Sequence, residues 1–280
     1  MQKTINDLAQ LQDLTMAKAQ QEASMSGTRL IQLDKSIEAM LKDLAPELRS
    51  RFTKLEAKGH IAIVPVSKSN VCSACGMSLP VSLVQAVRQA EKIHQCPTCA
   101  RMLYYSDSIP RGTGSQKARR GHPPKIGIAR FSSESLMIPQ ITSTTLEGVL
   151  TEMCQKLEDE NFVENSDTLI NEALKREAIV STAVEHGLAF PHVRGVEGGG
   201  LSFVLGLSKK GIKFGGSPKT LTRIIFFVVI PTAASAFYLK LLSGLSETFR
   251  SKEARDKVFG AKTPKDLWKT LVKITKTTVR

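Results

Sequence analysis

The chain has 280 residues, 41% of them hydrophobic and 23% charged, with a formal net charge of +13. This composition excludes an intrinsically disordered chain and suffices for one large core or for two or three smaller ones. No apolar run nears the ~20 residues that span a bilayer, and the opening MQKTINDLAQ has neither the apolar core nor the cleavage site of a secretory signal, so a cytoplasmic protein is expected.

Residues 1–58 read as helix. Leu30, Leu33, Ile37, Met40 and Leu44 recur at alternating steps of three and four, and Leu48, Phe52 and Leu55 follow at helical spacing. Ile5, Leu8, Leu11 and Leu14 form a weaker stripe, and Ser24–Thr28, containing Gly27, breaks the two apart. Two helices joined this way pack as an antiparallel coiled-coil hairpin. Pro46 removes a backbone donor and should kink or restart the second helix. Such an arm offers itself to a second copy or to another chain.

Residues 59–110 carry VCSACGMSLP and, after a twenty-residue spacer, HQCPTCARMLYY. Two CxxC pairs at this separation suit a tetrahedral zinc ion held by Cys72, Cys75, Cys96 and Cys99. Gly76 follows the first pair, where a tight turn favours glycine, and Ala100 takes the corresponding place after the second. An iron–sulfur cluster or a redox dithiol uses the same pairs, but nothing else in the segment resembles a redox protein. Four thiolates saturate zinc without His94, so the expected role is structural. Ile61–Val66 and Met102–Tyr105 read as short extended pieces and Val81–Glu91 as a helix. The fifth cysteine, Cys154, falls in a helical apolar pattern and reads as a core thiol. The hairpin, Val64–Cys72, CSACGMSLP and CPTCARMLYY together resemble the bacterial family that joins a helical hairpin to a C-terminal four-cysteine zinc ribbon. The resemblance implies an interaction module for nucleic acid or protein.

Residues 111–134 (RGTGSQKARRGHPPKIGIARFSSE) lose apolar periodicity and read as a flexible linker. Residues 111–130 sum to +6, residues 131–200 to −8 and 201–280 to +12. The Arg111–Arg130 run suits a polyanion, with Tyr104 and Tyr105 available for base stacking; solubility explains the same charge.

Residues 135–280 alternate helical and strand patterns, which predicts an α/β domain, a mixed sheet flanked by helices. Leu146, Val149, Leu150, Met153 and Leu157 mark one helix, and Leu169, Ile170, Ala173 and Leu174 a second, with Ser166 or Asp167 as its cap. Leu188–Phe190, Leu201–Leu207 and Arg223–Ile230 read as strands, with a turn at Gly211; Ala234–Phe249 and Thr263–Ile274 return to helix. His192 follows a strand and a proline, which sets it at a loop edge, and a neutral imidazole there is a natural phosphoryl acceptor. Arg176 and Arg194 supply the positive charge a phosphoryl group needs.

GLAFPHVR, LSKKGIKFGG and IIFFVVIP followed by YLKLLSGLS resemble the fructose/mannitol-type enzyme IIA domain of the phosphoenolpyruvate:sugar phosphotransferase system. The resemblance implies phosphorylation at His192, a supporting arginine at Arg176, phospho-HPr as donor and an enzyme IIB as acceptor. The expected protein is thus a IIA-type phosphoryl carrier, acting in regulation, fused to the ribbon module. The alternative is a non-enzymatic regulator in which the ribbon binds nucleic acid or protein and the IIA domain has lost its chemistry. Glu185 stands where that family has a small residue, Val193 follows the histidine where small residues are common, and Tyr238 occupies the place of a second histidine. Tyr238 retains a hydroxyl for a phosphoryl oxygen, whereas Glu185 repels the incoming group if it points inward.

Overall fold

A computed structural model describes residues 2–23, 30–67, 70–105, 112, 126–214, 221–231 and 234–279. The chain divides into two compact units, one of residues 1–19 with 27–109 and one of residues 20–26 with 110–280.

The first unit holds helix α1 (Gln2–Ala23) as far as residue 19, then α2 (Leu30–Asp43) and α3 (Pro46–Glu56). α1 buries Ile5, Leu8, Leu11, Leu14 and Ala17, and α2 buries Leu33 and Ile37. A half-exposed ion pair between Lys18 and Asp34, 2.7 Å long, links the two helices. An exposed pair of this kind adds about 0–1 kcal/mol, less than burying even one of these apolar side chains. Pro46 restarts the helix at the first turn of α3, where its missing N–H has no partner to lose. The sequence-predicted break at Ser24–Thr28 lies outside the described residues.

Four short elements follow: β1 (Ile63–Val66), α4 (Val81–Gln89), β2 (His94–Gln95) and β3 (Met102–Tyr105). β3 is the middle strand, parallel to β1 and antiparallel to β2. The core beneath them is small: Val64, Val66, Leu79, Val84, Val87 and Leu103 close around two buried cysteines, Cys72 and Cys96.

The second unit is a mixed sheet flanked by helices. Its elements are β4 (Met137–Ile138), α5 (Leu146–Asp159), α6 (Ser166–Ile179), β5 (Ala183–Val184), β6 (Leu188–Ala189), β7 (His192–Val196), β8 (Ser202–Ile212), β9 (Thr222–Pro231), α7 (Ser235–Arg250), α8 (Lys252–Phe259) and α9 (Pro264–Ile274). The strand order is β4-β8-β9-β6-β5, with β7 also paired to β9. Residues Ile224–Ile230 of β9 are all buried, as expected of a β-branched and aromatic run covered on both faces. β8 runs antiparallel to β9, while β6 and β7 run parallel to it. Those last two are one line of chain broken at Phe190–Pro191. Leu188 pairs with Ile224 and His192 with Val228, and proline has no N–H for the ladder between them.

The sequence reading is corrected at four places here. Gly211 lies inside β8, with φ +79°, where the register with β9 shifts between Leu207 and Ile212, rather than at the turn. Asn165, not Ser166 or Asp167, caps α6, its side chain accepting from Thr168 N at 2.9 Å. α8 was not predicted; only Ala254 and Val258 of it are buried, too few to make a visible stripe. Ile128 and Phe131, assigned by composition to the linker, are buried in the core, and Phe203 N donates to Phe131 O. The cap of α9 is as read: Thr263 accepts from Asp266 N at 3.1 Å, with Pro264 in the first turn.

Gly244 of α7 lies against the chain end that follows α9. A Cβ there would sit 2.5 Å from Thr278 O and 2.9 Å from Val279 Cγ2. Alanine improves helix propensity by about 0.5–1 kcal/mol, but forcing rigid backbone apart costs about 1–3 kcal/mol. Gly244→Ala is therefore expected to destabilise the domain by a net ~1–2 kcal/mol, read as a lower urea midpoint, and an unchanged or raised midpoint would show that the C-terminal stretch is not fixed against α7.

Candidate functional site

The break between β6 and β7 builds the site. Phe190 N continues the hairpin with β5 by donating to Thr182 O at 3.1 Å, and Pro191 O accepts from Val228 N on β9 at 2.9 Å. Phe190 O is left for the side chain two residues on, and His192 Nδ1 lies 3.0 Å from it. A carbonyl oxygen only accepts, so Nδ1 carries the proton and Nε2 carries the lone pair. The ring, expected at a loop edge, instead opens strand β7 and is buried, 1% exposed, because the chain rejoins β9 directly after Pro191; among the described residues Nε2 has no hydrogen-bond partner. Gln20, counted with this unit, brings its Nε2 to 3.5 Å from the same Phe190 O.

Tyr238, near the start of α7, faces the histidine. Its hydroxyl is 3.4 Å from His192 Nδ1, a second and longer acceptor for the same proton, and the ring centroids are 5.2 Å apart. Arg194 lies two residues after His192 on β7, hence on the same side of the strand, and its guanidinium carbon stands 5.1 Å from the Tyr238 ring centroid. Arg176 approaches from the last turn of α6, which packs against β7, and donates to Val180 O at 2.9 Å.

In the other unit the four cysteine sulfurs lie within 4.8 Å of one another. Cys72 and Cys99, and likewise Cys75 and Cys96, are 3.7 Å apart sulfur to sulfur. That is far beyond the ~2.05 Å of a disulfide. It matches the ~3.8 Å edge of a tetrahedron whose arms are the ~2.3 Å of a zinc–thiolate bond. Each CxxC closes a tight turn: Gly76 N donates to Cys72 O and Ala100 N to Cys96 O. Both closing residues are left-handed, Gly76 at φ +72° and Ala100 at φ +59°, so the second turn carries a strain the first avoids. The cluster can coordinate one metal ion.

Residues 130–274 match the family model of the phosphoenolpyruvate-dependent sugar phosphotransferase system, EIIA 2. The chain belongs to this family. Residues 71–103 separately match a C4-type zinc ribbon domain. Among similar proteins, the fructose-specific EIIA component of the phosphotransferase system of Haloferax volcanii is 23% identical over 130 residues, 46% of this chain and 84% of that protein. The 2-O-alpha-mannosyl-D-glycerate-specific EIIABC component of Escherichia coli is 22% identical over 126 residues, 44% of this chain and 19% of that longer protein. Among solved structures, nitrogen regulatory protein IIA-Ntr from Neisseria meningitidis superposes with a TM-score of 0.46 at 17% identity, over 51% of this chain and 97% of that one. IIA mannitol from Escherichia coli gives 0.43 at 12% identity, over 50% and 97%.

The EIIA domain brings His192, Arg194 and Tyr238 together and sets Arg176 near enough for its charge to act on both rings. It does not bring Glu185 to them. Glu185 is exposed on the 3-10 turn before β6. His192 pairs four residues further along β9 than Leu188 does, which is ~13 Å of strand. His186 is exposed beside Glu185, in left-handed backbone at φ 63°. Val193 is buried in the core. In the ribbon, one face of the Tyr105 ring is already covered by Arg88, 4.2 Å from its centroid, which leaves less of it for base stacking. Most of the basic run lies outside the described residues.

The sequence reading did not single out Glu177, Thr182 and Phe190, whose hydrogen bonds lead to the His192 ring. Glu177 offered one signal, an acid in the last turn of a helix, where the macrodipole opposes it unless another partner holds it.

Burial holds the His192 pKa well below its ordinary value, and the positive charges of Arg176 and Arg194 push it the same way, against the Phe190 carbonyl. Burial pushes the Tyr238 phenol up to about 12, so it remains protonated. A depressed folded-state histidine pKa means that the unfolded chain takes up the proton first. The stability linked to His192 is complete above the unfolded pKa of ~6.5 and is lost as pH falls below it. His192→Gln is expected to flatten the acid side of the stability profile by up to ~1.4 kcal/mol per pH unit in that window. Parallel wild-type and variant profiles from urea melts between pH 5 and 8 would show that the ring is not held neutral.

Proposed function

We propose that the EIIA domain is a phosphoryl carrier that accepts its group from phospho-HPr on His192 Nε2. The observation that carries this reading is the engaged Nδ1 beside a bare, neutral Nε2 flanked by two arginines. In the reaction the Nε2 lone pair forms the new bond to phosphorus while the donor's bond to phosphorus breaks and its electron pair leaves with the donor. Nδ1 keeps its proton, held by Phe190 O. Arg176 and Arg194 offset charge on the transferring oxygens, and the neutral Tyr238 hydroxyl donates to one of them. Because Nε2 is buried, acceptance requires the residues covering it to part. The fructose-specific relative supports a fructose/mannitol-type assignment for the domain.

Zinc in the ribbon completes the proposal. The sulfur spacing fits it, and bound metal would supply a structural cross-link. Cys72, Cys75, Cys96 and Cys99 would hold it, and each CxxC turn, closed by a backbone N–H donating to the carbonyl oxygen of its first cysteine, keeps its sulfur pair aimed inward. The proposed organisation is a helical arm over 1–58, a ribbon over 59–110, a linker, and the EIIA domain. Fusion of a carrier to such a module favours a regulatory role, with a partner protein reading the state of His192. Self-association of the arm remains part of this proposal.

Incubation with phosphoenolpyruvate, enzyme I and HPr is expected to give acid-labile phosphate on the wild type and none on His192→Ala. Arg176→Ala should slow labelling ~10²–10³-fold, the usual effect of removing one electrostatic stabiliser. Glu185→Gly should leave the rate unchanged. With the histidine pKa depressed, the rate should stay level as pH falls past 6.5 and drop only below the folded-state value. Label persisting in His192→Ala would overturn the assignment.

Cys72→Ser is expected to release one zinc per chain and to unfold the ribbon. Zinc binding supplies on the order of 10 kcal/mol in comparable peptides. Metal analysis that finds iron, or well under one zinc per chain in fresh wild type, would overturn the zinc reading.

A further inference from the structure

A chain of hydrogen bonds leads from α6 to the reactive ring. Glu177, 7% exposed, lies in the last turn of α6 beside Arg176. Its Oε1 accepts from Thr182 N at 2.9 Å and its Oε2 from the Thr182 hydroxyl at 2.6 Å. Thr182 O accepts from Phe190 N at 3.1 Å, and Phe190 O accepts from His192 Nδ1 at 3.0 Å. We infer that Glu177 is a positioning residue for phosphoryl acceptance, its carboxylate fixing the Thr182 and Phe190 peptides that hold the proton of His192 on Nδ1 and leave Nε2 bare. The inference rests on the carrier reading of the same site.

The physical case has three parts. A buried carboxylate is expensive unless its oxygens are satisfied; here each oxygen accepts from Thr182, with Ser181 adding a further hydrogen bond, and the pair of Thr182 bonds locks the position of that residue's backbone. Thr182 lies directly opposite Phe190 at the open end of the β5–β6 hairpin, so its carbonyl decides how the Phe190 peptide is turned. The Phe190 side chain fixes the other side of that peptide by stacking on Phe226, 5.4 Å between centroids and 11° between planes. A peptide held on both sides can present its oxygen to Nδ1 in one orientation, and the tautomer follows from it. Arg176 clamps the same turn through Val180 O, so neighbouring residues of α6 set the charge and the tautomer separately.

The test reads the tautomer itself. Ring nitrogen NMR of the full chain at pH 7.5, with His192 assigned by its loss in His192→Gln, should show a protonated Nδ1 and an unprotonated Nε2. Glu177→Ala should convert this to a mixture of tautomers and slow labelling by phospho-HPr about tenfold, while Glu177→Gln, which keeps one acceptor for Thr182 N, restores most of both. If Glu177→Ala fails to fold, Thr182→Val removes only the hydroxyl link and should shift the ring signals in the same direction. Ring signals identical to wild type in folded Glu177→Ala, or in Thr182→Val where the first does not fold, would overturn the inference. Wild type with the stated tautomer but no label from phospho-HPr would overturn the carrier reading alone, because the NMR measurement does not depend on transfer.

Discussion

Strand β9 has water on neither face, and that constraint organises the whole EIIA domain. A run of seven apolar residues, Ile224–Ile230, has to be paired along both edges and covered above and below. β8 supplies one edge over nearly its full length. The other edge is shared by β6 and β7, and the proline between them interrupts the ladder in the middle of the domain. The peptide groups of Phe190 and Pro191 are divided among β5, β9 and a side chain instead of one neighbouring strand. A histidine next to this break is both buried and oriented, a combination that a regular strand or an exposed loop does not provide.

Burial and charge then act together on the ring. Removing water penalises the imidazolium, and two nearby guanidinium groups penalise it again. The same positive field that keeps the ring neutral would favour the phosphoryl group of the proposed transfer, so in that reading the ring and the two arginines do not compete. The Tyr238 hydroxyl is compatible with this arrangement where a second histidine would add another titrating group. Its raised pKa keeps it a donor through the neutral range.

The elements that were legible in the sequence are those whose own residues carry the signal. Seven β-rich apolar residues announce β9, two CxxC pairs announce the sulfur cluster, and Thr263-Pro264 announces the start of α9. What was hidden depends on partners distant in the chain. α8 buries two side chains and looks like loop; Ile128 and Phe131 look like linker until Phe203 is seen to bond Phe131 O. Gly211 reads as a turn because a bulge and a turn demand the same left-handed backbone. For the site, the motif placed His192, and its neighbour at i+2 on the strand followed. Glu185 drew attention by proximity in sequence, yet the hairpin carries it to the far end of the strand line, whereas Glu177, further away in sequence, is linked to the ring through two peptides.

The two units differ in what holds them, and this bears on how a regulatory carrier could be built from them. The EIIA domain closes a large apolar core on its own, from Ile128 to Val279. The ribbon core has a handful of aliphatic side chains, and two of its buried members are cysteines whose partners on the other side of the cluster are only half-buried. A core that small does not repay the backbone entropy of ordering its loops without a cross-link. Ala90 and Ala100 add left-handed backbone without glycine, a further cost that so small a core has to offset. The metal-free ribbon should therefore be the weaker unit, and losing a metal from it would leave His192 in a folded domain, so that under the proposed function phosphoryl carriage and its readout would be separable by chemistry that touches only sulfur.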